Sequence, residues 1–122
     1  MSLERVAQIL LRVGLAFAFL YPPINALTDP NAWIGYFPSF TRGVVPDEVL
    51  LHAFGVVEVV IALWILSGKK IFLPSALAAV MLIAIVAFNM PEMQVVFRDL
   101  SIATLAGALA LMSLEKKPEP SL

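Results

Sequence analysis

The chain has 122 residues, 61% of them hydrophobic and 14% charged, with a net charge of −1. Ordinary globular chains are roughly 45–50% apolar and about 25% charged, and one small domain exposes too much surface to hide this excess from water. The near-neutral balance argues against a nucleic-acid partner. The absence of cysteine excludes disulfides, thiolate metal sites and iron–sulfur clusters, and a single histidine excludes a bis-histidine haem within one chain.

A membrane-spanning helix needs about 20 mostly apolar residues, within a range of about 17–25. Four segments satisfy this. The first covers residues 6–27, "VAQILLRVGLAFAFLYPPINAL". It starts like a signal peptide, but Arg12 interrupts the apolar stretch and Pro22-Pro23 stands where a small-residue cleavage site belongs, so it reads as a retained helix. The double proline removes donors to the carbonyls of Ala18 and Phe19. Gly14 with Ala18 has the spacing of a close helix contact, as has Ala103 with Gly107 further on, a pattern common by chance in apolar helices.

The connection that follows, "TDPNAWIGYFPSFTRGVVPDE", reads as a helix start at Asp29-Pro30 and then four aromatic residues, Trp33, Tyr36, Phe37 and Phe40. Two readings stand: a short helix lying at headgroup level, or a lid over an interior between helices. The second crossing is residues 49–66, "VLLHAFGVVEVVIALWIL", with Glu58 near its middle. The third is residues 71–89, and the fourth residues 95–114, extending earlier where Pro91 suits a first helical turn. The expected fold is therefore all-α, an integral membrane four-helix bundle with an aromatic-rich interfacial loop between helices one and two. Residues 1–114 form the transmembrane domain and residues 115–122 a disordered cytoplasmic tail.

An even number of crossings puts both termini on one side. Arg5, Lys69, Lys70, Lys116 and Lys117 fall there, and Arg42 and Arg98 fall opposite, beside Asp29, Asp47, Glu48, Glu92 and Asp99. The positive-inside rule makes the termini cytoplasmic, in the inner membrane.

Two polar groups emerge. At about 1.5 Å of rise per residue, Arg12 and Glu58 come to similar depths on helices one and two. A charge at that depth costs about 2.5–3.5 kcal/mol on insertion scales. The plainest reading is an Arg12–Glu58 ion pair locking the two helices. The functional reading gives one of them a ligand or a proton. The third has Arg12 snorkelling to the headgroups while Glu58 is protonated. The second group gathers near the outer ends: Tyr21, Asn25, His52, Asn89, Arg98 and Asp99. Each member also has a plain reading as a boundary charge, a cap or an interfacial residue. His52 and Glu58 are six positions apart, about 240° around the helix, and do not share a face. No metal site is expected from these residues.

The stretches "LRVGLAFAFLY" (residues 11–21), "FGVVEVVIALWILSGKK" (54–70) and "FRDLSIATLAGALAL" (97–111) make the chain resemble the DoxX-like small membrane proteins. The membrane glutamate, Glu58, and the Arg98-Asp99 pair carry most of the likeness, and Arg12 matches the arginine that often begins helix one. A histidine and glycine often follow the tyrosine in that family; here Tyr21 precedes Pro22-Pro23, which puts any function of that histidine in doubt. Some family members look like the membrane subunit of thiosulfate:quinone oxidoreductases, and animal relatives act as assembly factors. The resemblance implies a four-helix integral membrane protein and does not by itself fix an activity. The first expectation is a quinone- or lipid-binding membrane subunit of an oxidoreductase, its outer polar cluster holding a headgroup under the aromatic loop, with no intrinsic cofactor and with redox capacity supplied by a partner protein. A non-catalytic scaffold is the alternative, and a small proton-coupled transporter the third. The expected partners are membrane lipid and a membrane or redox protein, with self-association open.

Overall fold

The computed structural model describes residues 2–41 and 43–115, and every regular element in that range is helical. Arg42, Lys116, Lys117 and all but the first residue of the expected tail lie outside the described residues. The elements follow the sequence segments closely. Helix α1 is Leu3–Ala26 and runs through both prolines; the Ser2 hydroxyl accepts the Arg5 N–H at 3.1 Å as its cap. Helix α2, Asn31–Ile34, is one turn in the long connection. Its first flanking residue is Pro30, without a side-chain cap, so Asp29 does not cap it as expected. Helix α3 is Asp47–Ser67, with Asp47 and Glu48 at its positive N-terminal end. Helix α4 is Phe72–Phe88, and a 3₁₀ turn, Met90–Glu92, leads directly into α5, Met93–Leu114.

Helices α1 and α3 form one close pair and α4 and α5 the other; α3 against α4 and α1 against α5 join the pairs. Helices α3 and α5 therefore stand diagonally across the interior. The start of α1 and the α3–α4 turn make up one end of the molecule, its base; the long connection makes up the other, its top.

The interior is built from small residues. Ala16, Ala62, Ala78 and Ala106, one from each long helix, are at most 1% exposed. Leu15, Phe19, Ile61, Ile65, Leu82 and Leu109 fill the space between them. Close approach through alanine is the packing used where lipid, rather than water, surrounds the helices. The expected contacts at Gly14 and Gly107 do not form: a side chain at either would meet open space. The close approach is instead at Gly55, where an added Cβ would lie 3.0 Å from the Pro23 Cβ. That leaves α3 no room for a side chain against the proline-bearing part of α1.

The outward faces are as apolar as the interior. Leu10 and Phe17 of α1, Val56 of α3, Val80 of α4 and Leu111 of α5 are each more than 60% exposed. Monomeric soluble proteins rarely expose contiguous apolar surface on this scale. Two stretches, Asp47–Ser67 and Met90–Leu114, are long and apolar enough to cross a membrane. Helix α4 is apolar throughout but has 17 residues. Helix α1 carries Glu4, Arg5 and Arg12 among its apolar residues.

Candidate functional site

Arg12 is the first side chain to depart from expectation. Its Nε donates to the Ile65 carbonyl and its Nη2 to the Leu66 carbonyl, both at 3.1 Å. These carbonyls belong to the last turn of α3, where helical partners run short, the Ile65 carbonyl also accepting the Gly68 N–H at 3.2 Å, and where the helix dipole favours a cation. Gly68 completes the arrangement. It is left-handed, φ 75°, and ends the helix; a Cβ on it would come within 2.8 Å of Arg12 Nη2. The glycine thus serves both the turn and the guanidinium. Around the same turn, Trp64 Nε1 donates to the Lys69 carbonyl at 2.9 Å and the Lys69 N–H donates to the Ser67 hydroxyl at 3.3 Å.

The Arg12–Glu58 ion pair does not form among the described residues, where Arg12 donates to backbone instead. Depth arithmetic placed the two Cα positions at one level. A helical side chain, however, tilts toward its own N-terminus, and a long arginine reaches a full turn further toward the base. Ile65 lies seven residues beyond Glu58, so the guanidinium sits about 10 Å from Glu58 along α3.

Glu58 is buried, with 9% of its surface exposed. It makes no ion pair among the described residues. Asp99 is half-buried and Arg98 exposed. Neither of these members of the expected outer cluster makes an ion pair among the described residues.

The rest of that cluster divides into separate contacts. Asn25 Oδ1 accepts the Trp33 Nε1 hydrogen bond at 2.8 Å. Asn89 is buried; its Nδ2 donates to the Tyr36 carbonyl at 3.0 Å and to the Ile85 carbonyl at 2.8 Å. The two asparagines thus hold the long connection down at two points, one from α1 and one from the end of α4. Aromatic contacts reinforce them. Trp33 meets Tyr21 edge-on with ring centres 6.3 Å apart; Phe37 meets Phe54 of α3 at 5.4 Å, and Phe40 meets Phe88 of α4 at 6.0 Å. The connection thus contacts α1, α3 and the end of α4. His52 is exposed and joins none of these contacts. It borders a cleft of about 190 Å³ between α1 and α3, walled by Pro23, Leu27, Leu51, Gly55, Val56 and Val59. As their spacing requires, His52 and Glu58 lie on different faces.

Two features were missed in the sequence. Gly68, in "LSGKK", is a legible helix stop, but its role in admitting Arg12 needs the α1–α3 pairing. Ser75 on α4 is fully buried, and its hydroxyl has no hydrogen-bond partner among the described residues; nothing in the sequence distinguishes it from the other serines.

Helices packed through alanine, with apolar side chains turned outward, are what a small helical membrane protein requires. The chain belongs to the DoxX family, whose model matches residues 7–90, and is a DoxX-family membrane protein. The match takes in Arg12, Tyr21, Asn25, His52, Glu58 and Asn89 but stops before α5, so Arg98 and Asp99 lie beyond it. No curated protein and no solved structure matches the chain.

Proposed function

We propose that this DoxX-family chain crosses the inner membrane as a four-helix bundle formed by residues 1–114, with both termini and the 115–122 tail in the cytoplasm. The outward apolar faces support the crossing. Arg5, Lys69 and Lys70 at the base, against Asp29, Asp47, Glu48 and Glu92 at the top, support the orientation. The aromatic connection would then lie at the outer headgroup level.

Within this frame the chain binds a quinone or lipid and serves as the membrane subunit of an oxidoreductase, whose electron carrier sits on a partner protein. The observation that carries this reading is the cleft between α1 and α3. Its apolar walls open sideways toward lipid, and His52 is the titratable side chain at its edge; an isoprenoid or acyl chain could lie along the walls with its headgroup beside the imidazole. Native mass spectrometry of protein gently released from its own membranes tests it. A quinone or lipid should stay bound and be lost in Val56→Trp, which fills the cleft. A bare wild-type chain would defeat the proposal.

One observation favours the scaffold reading instead. On α1, the exposed residues Leu10, Val13 and Phe17 flank Gly14, and the space over Gly14 is open. Another helix can approach closely there, and co-purification of a membrane protein that is lost in Gly14→Leu would favour that role.

A further inference from the structure

We propose that the base of the bundle holds one anionic phospholipid, its phosphate bound by Arg12, Lys69 and Lys70. The inference rests on the membrane reading above. It concerns the end of the molecule away from the cleft, which none of the three residues lines.

Three cations meet at the α3–α4 turn. The Arg12 guanidinium lies over Gly68: a Cβ built there would stand 2.8 Å from Nη2 and 3.3 Å from Nη1. Lys69 and Lys70 follow directly in the chain, and both are exposed. The guanidinium is only partly engaged. Its Nε and Nη2 donate to the Ile65 and Leu66 carbonyls, and its Nη1 has no hydrogen-bond partner among the described residues. Neither lysine ammonium makes a hydrogen bond or an ion pair there. No acid stands in the turn to neutralise them. The sequence has none between Glu58 and Glu92. The acids of the base belong to other helix ends: Glu4 is eight residues before Arg12, about 12 Å further along α1, and Glu115 follows the end of α5.

The oxygens that would repel an anion are occupied. Arg12 covers the Ile65 and Leu66 carbonyls, Trp64 Nε1 donates to the Lys69 carbonyl, and the Ser67 hydroxyl donates to the Trp64 carbonyl. What the turn presents outward is therefore positive. A guanidinium with free donors suits phosphate oxygens, and basic groups at the cytoplasmic end of a helix bundle suit anionic headgroups. The surroundings point to a lipid as the source of the phosphate. Leu63 and Leu66, leading into the turn, and Phe72 and Leu73, leading out of it, are exposed. They give acyl chains an apolar wall directly beside the cations. A zwitterionic lipid would bring its own cation to three others, so the net negative headgroup is preferred.

Native mass spectrometry of the full chain in a nonionic detergent tests this, with phosphatidylglycerol or phosphatidylcholine of the same acyl chains added. One phosphatidylglycerol should stay bound, and its retention should exceed that of phosphatidylcholine severalfold. Lys69→Gln combined with Lys70→Gln, both at exposed positions, should lower the retention about tenfold. Val56→Trp, which fills the cleft, should leave it unchanged, and inorganic phosphate should not displace the lipid. Equal retention of the two lipids, which the wild type alone can show, would overturn the proposal. So would undiminished retention in the lysine variant, loss in Val56→Trp, or displacement by inorganic phosphate. The membrane reading fails separately, by release of the chain from membranes with alkaline carbonate and no detergent.

Discussion

The base of the α1–α3 pair and the middle of α3 each hold one charged side chain among apolar ones. At the base, Arg12 meets two backbone carbonyls of a helix end whose dipole suits a cation, and a glycine makes room for it. In the middle, Glu58 is buried and makes no ion pair among the described residues. The first arrangement satisfies its charge; the second leaves a buried carboxyl without a cation. Residues of equal cost to insert can therefore stand in opposite surroundings: Arg12 is part of what holds α1 to α3, whereas Glu58 makes no ion pair among the described residues.

The contrast can be broken by mutation. The largest expected effect is at Arg12. Arg12→Gln removes the charge from two hydrogen bonds and should destabilise the protein by about 2–3 kcal/mol, the scale of a hydrogen bond from a charged group. Gly68→Ala should reproduce part of that loss, about 1–2 kcal/mol, since a left-handed alanine is strained and its Cβ presses on the guanidinium. Thermal unfolding in one detergent measures both. Glu58→Gln should stay within about 1 kcal/mol of the wild type; breaking a true buried ion pair would cost about 3–5 kcal/mol.

The smallest effect is at the top. Asn89→Leu removes the side-chain bond to the Tyr36 carbonyl and should loosen the aromatic connection by about 1 kcal/mol. In a Trp64→Phe background, which leaves Trp33 as the only tryptophan, the fluorescence of Trp33 should report that loosening while the rest of the helical signal is unchanged.

The helices were legible because long apolar runs between proline, glycine and charge clusters leave few alternatives. Each of the four long helices lies within three residues of its expected limits at either end. The polar contacts were legible only in part. Counting 1.5 Å per residue finds the level of a Cα but not the direction of a side chain, so Arg12 and Glu58 were matched although the guanidinium reaches the last turn of α3. Asp99 opens α5 and is half-buried there, a degree of burial that depends on how the two helix pairs are set against each other. The asparagines and aromatics of the top were found as a cluster, but only the path of the connection shows that Asn25 and Asn89 are its fastenings.

The most direct measurement is a double-mutant cycle on thermal stability in a single membrane mimetic, joining Arg12→Gln to Glu58→Gln. The account predicts a coupling below about 0.5 kcal/mol, as for independent sites. A coupling of about 1 kcal/mol or more, as for groups in contact, would contradict it.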